Sequence, residues 1–460
     1  MVTAREFWRS TFNDFNPLGL RPEDVASFFV DRHEDDPTRS LLERLKVGLL
    51  NSMGQPQTYK ALLTGHRGSG KSSELMRAGQ DLVYDFFVVW FDAEQSLADT
   101  ATHLEVLLGM GLAVHAAASA AGLRPADRLA NDLVKSLAKF VRKYEERKGF
   151  TLKLDQLLKQ VFAIALVAGA SAVGGPPAAL VAGAAVVGAG QVFKTFRIEL
   201  NVRDDLVKTL ELPANRQEVI GALNEIIEDV QDKAGKPVLI ITDGLDKVSA
   251  TRAQLLFAES ALLTEPSCAL VYAAPIEFYH RVGVEQALNL FDDCAMLPNL
   301  PVYKRPPLGD HWKLEREANE DGMQVMRKVV TKRFEARGRA VDPLVTPQAL
   351  DVLVRMSGGV MRELVRSFRD AATFAQLRDT MQIDETIARD VVNQRRQSIA
   401  PQLNAEHRQA LQRVLREGTL SGGQSAAVED ELLRSLHLLS YRDDRDTFRF
   451  DVHPTVLPLL

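Results

Sequence analysis

Cysteine is nearly absent: Cys268 and Cys294 are the two in 460 residues, far apart and with no CxxC or Cys/His cluster around either. That excludes a disulfide-stapled scaffold and a structural zinc site, and it fits a reducing compartment. An excess of one charge is missing too. Lys plus Arg number 56 against 61 Asp plus Glu, a formal net charge of −5, which gives no basis for a nucleic-acid coat protein. Aromatics are few, at 7%, but 46% hydrophobic and 25% charged residues are ordinary globular values, so disordered and collagenous chains are excluded. The opening residues, MVTAREFWRSTFNDF, mix both signs and lack the apolar stretch of a secretory signal. A cytoplasmic location is expected. There is no tandem repeat.

Two uncharged stretches stand out. Residues 106–123 (VLLGMGLAVHAAASAAGL) approach membrane-spanning length but are rich in Ala and Gly and carry His115; a buried helix is expected. Residues 161–190 contain no charge and are split by Gly174-Gly175-Pro176-Pro177. Each half is then too short to span a bilayer as a straight helix. A helical hairpin against the core and a membrane- or partner-binding hairpin are the two readings left open.

Along the chain, residues 1–58 read as polar turns and one amphipathic helix, with Thr38 as candidate N-cap. Short apolar runs then alternate with helical segments: YKALLT, DFFVVWFDA, PVLIIT, CALVYAA and a weaker run at 295–302. This pattern predicts an α/β domain over 59–320, a parallel sheet with helices on both faces, carrying an apolar helical insertion near 155–195. Residues 321–398 read as all-helical, with starts at Thr346-Pro347, after Ser357-Gly358-Gly359 and after Asp384. Residues 399–460 read as helices followed by a hairpin turning at Arg442-Asp443-Asp444-Arg445, a winged helix.

The chemistry begins at Gly65-His66-Arg67-Gly68-Ser69-Gly70-Lys71-Ser72, followed by Ser73. The pattern GxxxxGK[ST] between a strand and a helix is a phosphate-binding loop. Its glycines let backbone N–H groups wrap a β-phosphate, and the helix N-terminus adds partial positive charge. Lys71 would meet the β and γ oxygens, and Ser72 would hold magnesium. A strand ending in acid, Leu239-Ile240-Ile241-Thr242-Asp243, supplies the second magnesium ligand expected of a P-loop ATPase, with Asp246 three residues on.

An acid, a tiny residue, an apolar residue and a second acid, Asp243-Gly244-Leu245-Asp246, resemble the STAND class of signal-transduction ATPases, similar in core to AAA+ proteins. The resemblance implies that Asp243 binds Mg2+ and Asp246 polarises the attacking water. Lys247 stands where that class has a further glutamate, which implies slow hydrolysis. Ser357-Gly358-Gly359-Val360-Met361-Arg362-Glu363-Leu364 resembles the sensor-2 segment of AAA+ lids, which would bring Arg362 to the γ-phosphate. Arg366 and Arg369 compete for that role on the same helix, and a solvated arginine is the plain alternative. The strand over 268–274 ends in Pro275, unlike the polar sensor of AAA+ proteins or the arginine of STAND proteins. Phe450-Asp451-Val452-His453-Pro454 resembles the winged-helix histidine segment of STAND proteins, which implies that His453 contacts the β-phosphate of ADP; a structural histidine is the alternative.

The expected function is an ATP/ADP-dependent switch, with a protein partner or effector, a nucleotide-dependent homo-oligomer, and a place in a bacterial defence system. The alternatives are an Orc/Cdc6-like DNA-associated ATPase or a membrane-acting effector using 161–190. Residues 401–460 hold 7 Arg and 9 Asp plus Glu, a poor balance for binding phosphates.

Overall fold

The computed structural model describes residues 3–34, 40–55, 57–144, 198, 210, 212–280, 283–305, 316–421, 423–442 and 447–460. The apolar hairpin expected over 161–190 and the N-cap expected at Thr38 lie outside these. The chain divides into two compact units, one of residues 38–64 and 74–296, the other of residues 1–37, 65–73 and 297–460.

The first unit is built on a five-stranded sheet. Its strands are β1 (Lys60–Gly65), β2 (Phe87–Asp92), β3 (Val238–Asp243), β4 (Ala269–Pro275) and β5 (Asp293–Leu297), in the order β2-β3-β4-β1-β5. β2 runs parallel to β3 from Phe87 opposite Val238 to Asp92 opposite Asp243, and β3 parallel to β4. Every residue of β1, β4 and β5 is buried. Because side chains alternate between faces, both faces are covered. This is the covered parallel sheet that the alternating apolar runs predict. β5 begins at Asp293, two residues ahead of the run expected from Ala295. Asp293 is buried against Arg44 Nε at 3.0 Å, and a paired acid inside a strand does not register as apolar.

The uncharged stretch at 106–123 falls largely in the helix His103–Ala120, and that helix is core. It is long and apolar enough to cross a membrane, yet 89% of its apolar window is buried in the protein. A reciprocal cap starts it: Glu105 accepts from the Thr102 backbone N–H at 2.8 Å. His115, fully buried, has its Nε2 3.3 Å from Asp127, and burial lowers its pKa. Both cysteines are buried, and burial pushes their thiols up to about 12, so they are inert.

The second unit holds the lid and the winged helix. Four lid helices, Glu320–Glu335, Pro347–Met356, Met361–Leu377 and Glu385–Ile399, match the sequence expectation. Thr346 and Asp384 cap as expected, accepting from Ala349 N at 3.2 Å and Ile387 N at 2.9 Å. The winged helix comprises Ala405–Glu417, Ala426–Arg434 and an antiparallel hairpin of β6 (Leu438–Arg442) and β7 (Phe448–Val452).

Residues 1–34 are more than polar turns. Helix Ala4–Thr11 buries Trp8, whose Nε1 donates to Thr380 O at 2.9 Å. Phe15 stacks on Phe368 with centroids 5.4 Å apart, so the N-terminal segment completes the lid core.

Gly359 turns the chain between two lid helices at φ +73°, and a Cβ there would coincide with the Leu300 carbonyl oxygen. Gly359→Ala therefore combines left-handed strain with a backbone collision and should cost about 2 kcal/mol or more. Urea unfolding is the check, and a variant as stable as wild type would refute it.

Candidate functional site

Glycines at positive φ shape the loop after β1: Gly65 at +150°, Gly68 at +81° and Gly70 at +109°. The loop closes on itself where Ser69 N–H donates to His66 O at 3.1 Å. Helix Lys71–Asp81 then begins at the motif's lysine, so its first N–H groups and its dipole face the loop. Lys71 is buried, and its Nζ donates to the carbonyl oxygens of Gly65 at 2.8 Å and His66 at 2.9 Å. Ser69 Oγ is buried and has no hydrogen-bond partner among the described residues. A buried ammonium, an unsatisfied hydroxyl and a helix N-terminus together fit an anion such as a nucleotide phosphate.

The lid reaches this loop through Arg362. Its backbone N–H donates to Gly68 O at 3.1 Å, and a Cβ on Gly68 would fall on the Arg362 Cβ. Contact this close is why position 68 takes no side chain. The sensor-2 resemblance pointed to the Arg362 side chain at a γ-phosphate; what meets the loop here is its backbone N–H and the inner part of its side chain. Arg366 instead pairs with Glu363 at 2.6 Å, and Arg369 lies over the Phe12 ring at 3.9 Å.

Two residues of the N-terminal segment also meet the loop. Arg32 donates to Ser69 O and to Pro298 O at 2.9 Å, and its terminal nitrogen stands 2.6 Å from where a Gly70 Cβ would be. Gly19 lies against Ser72. Sequence reasoning missed Arg32, because nothing in a lone arginine of a polar segment announces a partner many residues away.

The winged helix meets the loop through His66. This ring is fully buried; Ser440 N–H donates to its Nε2 at 2.9 Å, and its Nδ1 lies 3.2 Å from Leu433 O. His453 sits in the turn after β7, where its Nδ1 accepts from Thr455 N–H at 3.2 Å. Its ring packs on the lid turn, 3.4 Å from where a Gly358 Cβ would stand. Burial brings the His453 pKa down to about 4, against Glu363 and the Ser357 carbonyl, which pull it up.

The acidic residues belong to the sheet unit. Asp243 ends β3 beside Asp92, its register partner at the end of β2, and Asp246 lies in the short turn Leu245–Lys247. Lys247 forms an ion pair with Glu94. Its charge therefore has a carboxylate partner in the short helix Ala93–Ser96 that follows β2, which reading the β3 segment alone did not reveal.

By sequence, no protein-family profile and no characterised protein matches this chain. By structure it is similar to the Aeropyrum pernix Orc1 protein in complex with DNA, at 12% identity and TM-score 0.40 over 95% of this chain and 94% of that one. It is similar to Pyrobaculum aerophilum Cdc6p, at 9% identity and TM-score 0.39 over 96% of this chain and 97% of that one. The Drosophila ORC bound to DNA also compares, at 8% identity and TM-score 0.40 over 97% of this chain and 88% of that one.

Proposed function

We propose that this chain binds ATP and ADP with magnesium at residues 65–73 and hydrolyses ATP slowly, as a switch whose lid and winged helix respond to the bound nucleotide. The observation that carries this reading is the convergence of three elements on one phosphate loop: its own Lys71, the lid's Arg362, and the winged helix through His66. Ser72 and Asp243 are the oxygen donors suited to the magnesium ion, which would neutralise phosphate charge when bound. Asp246 is the residue assigned to orienting the attacking water. A protein partner that reads the switch, or self-assembly in one nucleotide state, is part of the proposal.

The test is hydrolysis at Asp246. Asp246→Asn should bind ATP as wild type does and lose about a hundredfold in single-turnover rate, the typical share of a positioned proton acceptor. A variant that turns over at the wild-type rate moves the water-orienting role elsewhere. Restoring the glutamate of the STAND pattern with Lys247→Glu should not speed hydrolysis, because it would set two carboxylates together where Glu94 now neutralises the lysine.

A second reading, an ATPase that acts on DNA, is favoured by the winged helix itself, two helices and a hairpin in an arrangement that reads DNA elsewhere. The excess of acid over 401–460 opposes it. Fluorescence anisotropy with duplex DNA at two salt concentrations separates the readings, since phosphate contacts weaken steeply with salt.

A further inference from the structure

The sequence pattern of a phosphate loop leaves its second position open, and here that position is a histidine buried in full. Its ring is specified from both sides. Ser440 N–H is a donor, so Nε2 must accept; the proton is then on Nδ1, which donates to Leu433 O. One imidazole thus joins the end of helix Ala426–Arg434 to the middle of β6.

Ser440 lies on the edge of β6 that faces away from β7. Its N–H goes to His66, and its carbonyl accepts from Asn299 N at 3.3 Å and Asn299 Nδ2 at 3.4 Å. Both backbone groups of one edge residue are therefore taken by the two segments that follow β1 and β5. An unpaired strand edge is the part of a hairpin most open to exchange and to new partners. At the same time the His66 carbonyl accepts from the Lys71 ammonium, at 2.9 Å.

We propose that His66 is a positioning residue that transmits the state of the phosphate loop to the winged helix, its carbonyl holding Lys71 and its imidazole holding the edge of β6 at Ser440. This rests on the reading that the loop binds nucleotide. When phosphate draws the Lys71 ammonium, the backbone at His66 shifts, and the ring moves with the backbone that carries it. The hydrogen bond to Ser440 is then strained or released.

Amide hydrogen exchange across residues 438–442 tests this in the full chain, with and without ATP. In the wild type, ATP should change the exchange rate at Ser440. His66→Ala keeps the carbonyl that meets Lys71 but loses the ring; Ser440 should exchange about tenfold faster without nucleotide, and ATP should no longer alter it. His66→Gln, whose side-chain oxygen can accept from the same N–H, should restore part of the protection and of the response. Unchanged exchange and an intact ATP response in His66→Ala would overturn the proposal.

Should His66→Ala loosen the whole chain, Ser440→Pro removes the same hydrogen bond from the other side by deleting its donor, and is made both alone and in the His66→Ala background, where the ring that faces the N–H is gone. An ATP response at Leu439 and Tyr441 that survives in Ser440→Pro overturns the proposal, and its disappearance supports it. Calorimetry keeps the two ideas apart. A wild type that does not bind ATP defeats the nucleotide reading, whereas a wild type that binds ATP with Ser440 unresponsive defeats the role of His66.

Discussion

Lys71→Ala is expected to lower ATP affinity by at least about a hundredfold, ~2.7 kcal/mol, while the protein stays folded. The lysine carries a buried ammonium held by Gly65 O and His66 O, poised at the N-terminus of helix Lys71–Asp81. Its loss removes charge-assisted hydrogen bonds to the phosphates, each stronger than a neutral one. The two carbonyls it leaves each lose a donor, at about 1–3 kcal/mol apiece, so the fold is checked beside the affinity. Isothermal calorimetry gives the affinity, and near-UV circular dichroism checks the fold. A folded Lys71→Ala protein with wild-type ATP affinity would remove the nucleotide from this loop.

Acid should destabilise the unit of lid and winged helix, and two histidines set the window. Burial lowers His437 to about 4, with His407 and Arg395 adding to the effect. Burial lowers His453 to about 4 as well, and there Arg395 and His437 act in the same direction. An unfolded histidine titrates near ~6.5. Below that pH the unfolded chain takes up protons that the folded chain refuses, so stability is full above about 6.5 and is lost as pH falls toward 4. Each histidine contributes a slope of up to about 1.4 kcal/mol per pH unit. Urea unfolding at pH 7.5, 6.0 and 5.0 should follow this trend, and His437→Leu with His453→Asn should flatten it. Equal pH slopes in wild type and double variant would show that these rings titrate normally.

What could be read from the sequence was what local chemistry announces. Thr346 and Asp384 mark helix starts because a cap is made within three residues. The loop at 65–73 is legible because its glycines and lysine act on neighbouring backbone. The missed features join distant residues: Arg32 with Ser69, Lys247 with Glu94, Trp8 with Thr380, His66 with Ser440. No periodicity or cap encodes such pairs, since each side chain reads as ordinary in its own segment. His453 was singled out by its neighbours, yet the imidazole that joins the loop to the winged helix is His66, hidden at a position where the motif tolerates any residue.

The placement of Trp8 and Phe15 in the lid core has a consequence for biosynthesis. Trp8 donates to Thr380, 372 residues later in the chain, and Phe15 stacks on Phe368. At ordinary translation speeds roughly 20–70 s separate the emergence of the two sides. During that interval Phe7, Trp8 and Phe15 leave the ribosome with no native surface to cover them, and the sheet unit can fold first without them. The lid can close around this early segment only after residues 368–380 have emerged, so a nascent chain stalled before residue 368 should present its aromatics at 7–15 to chaperones.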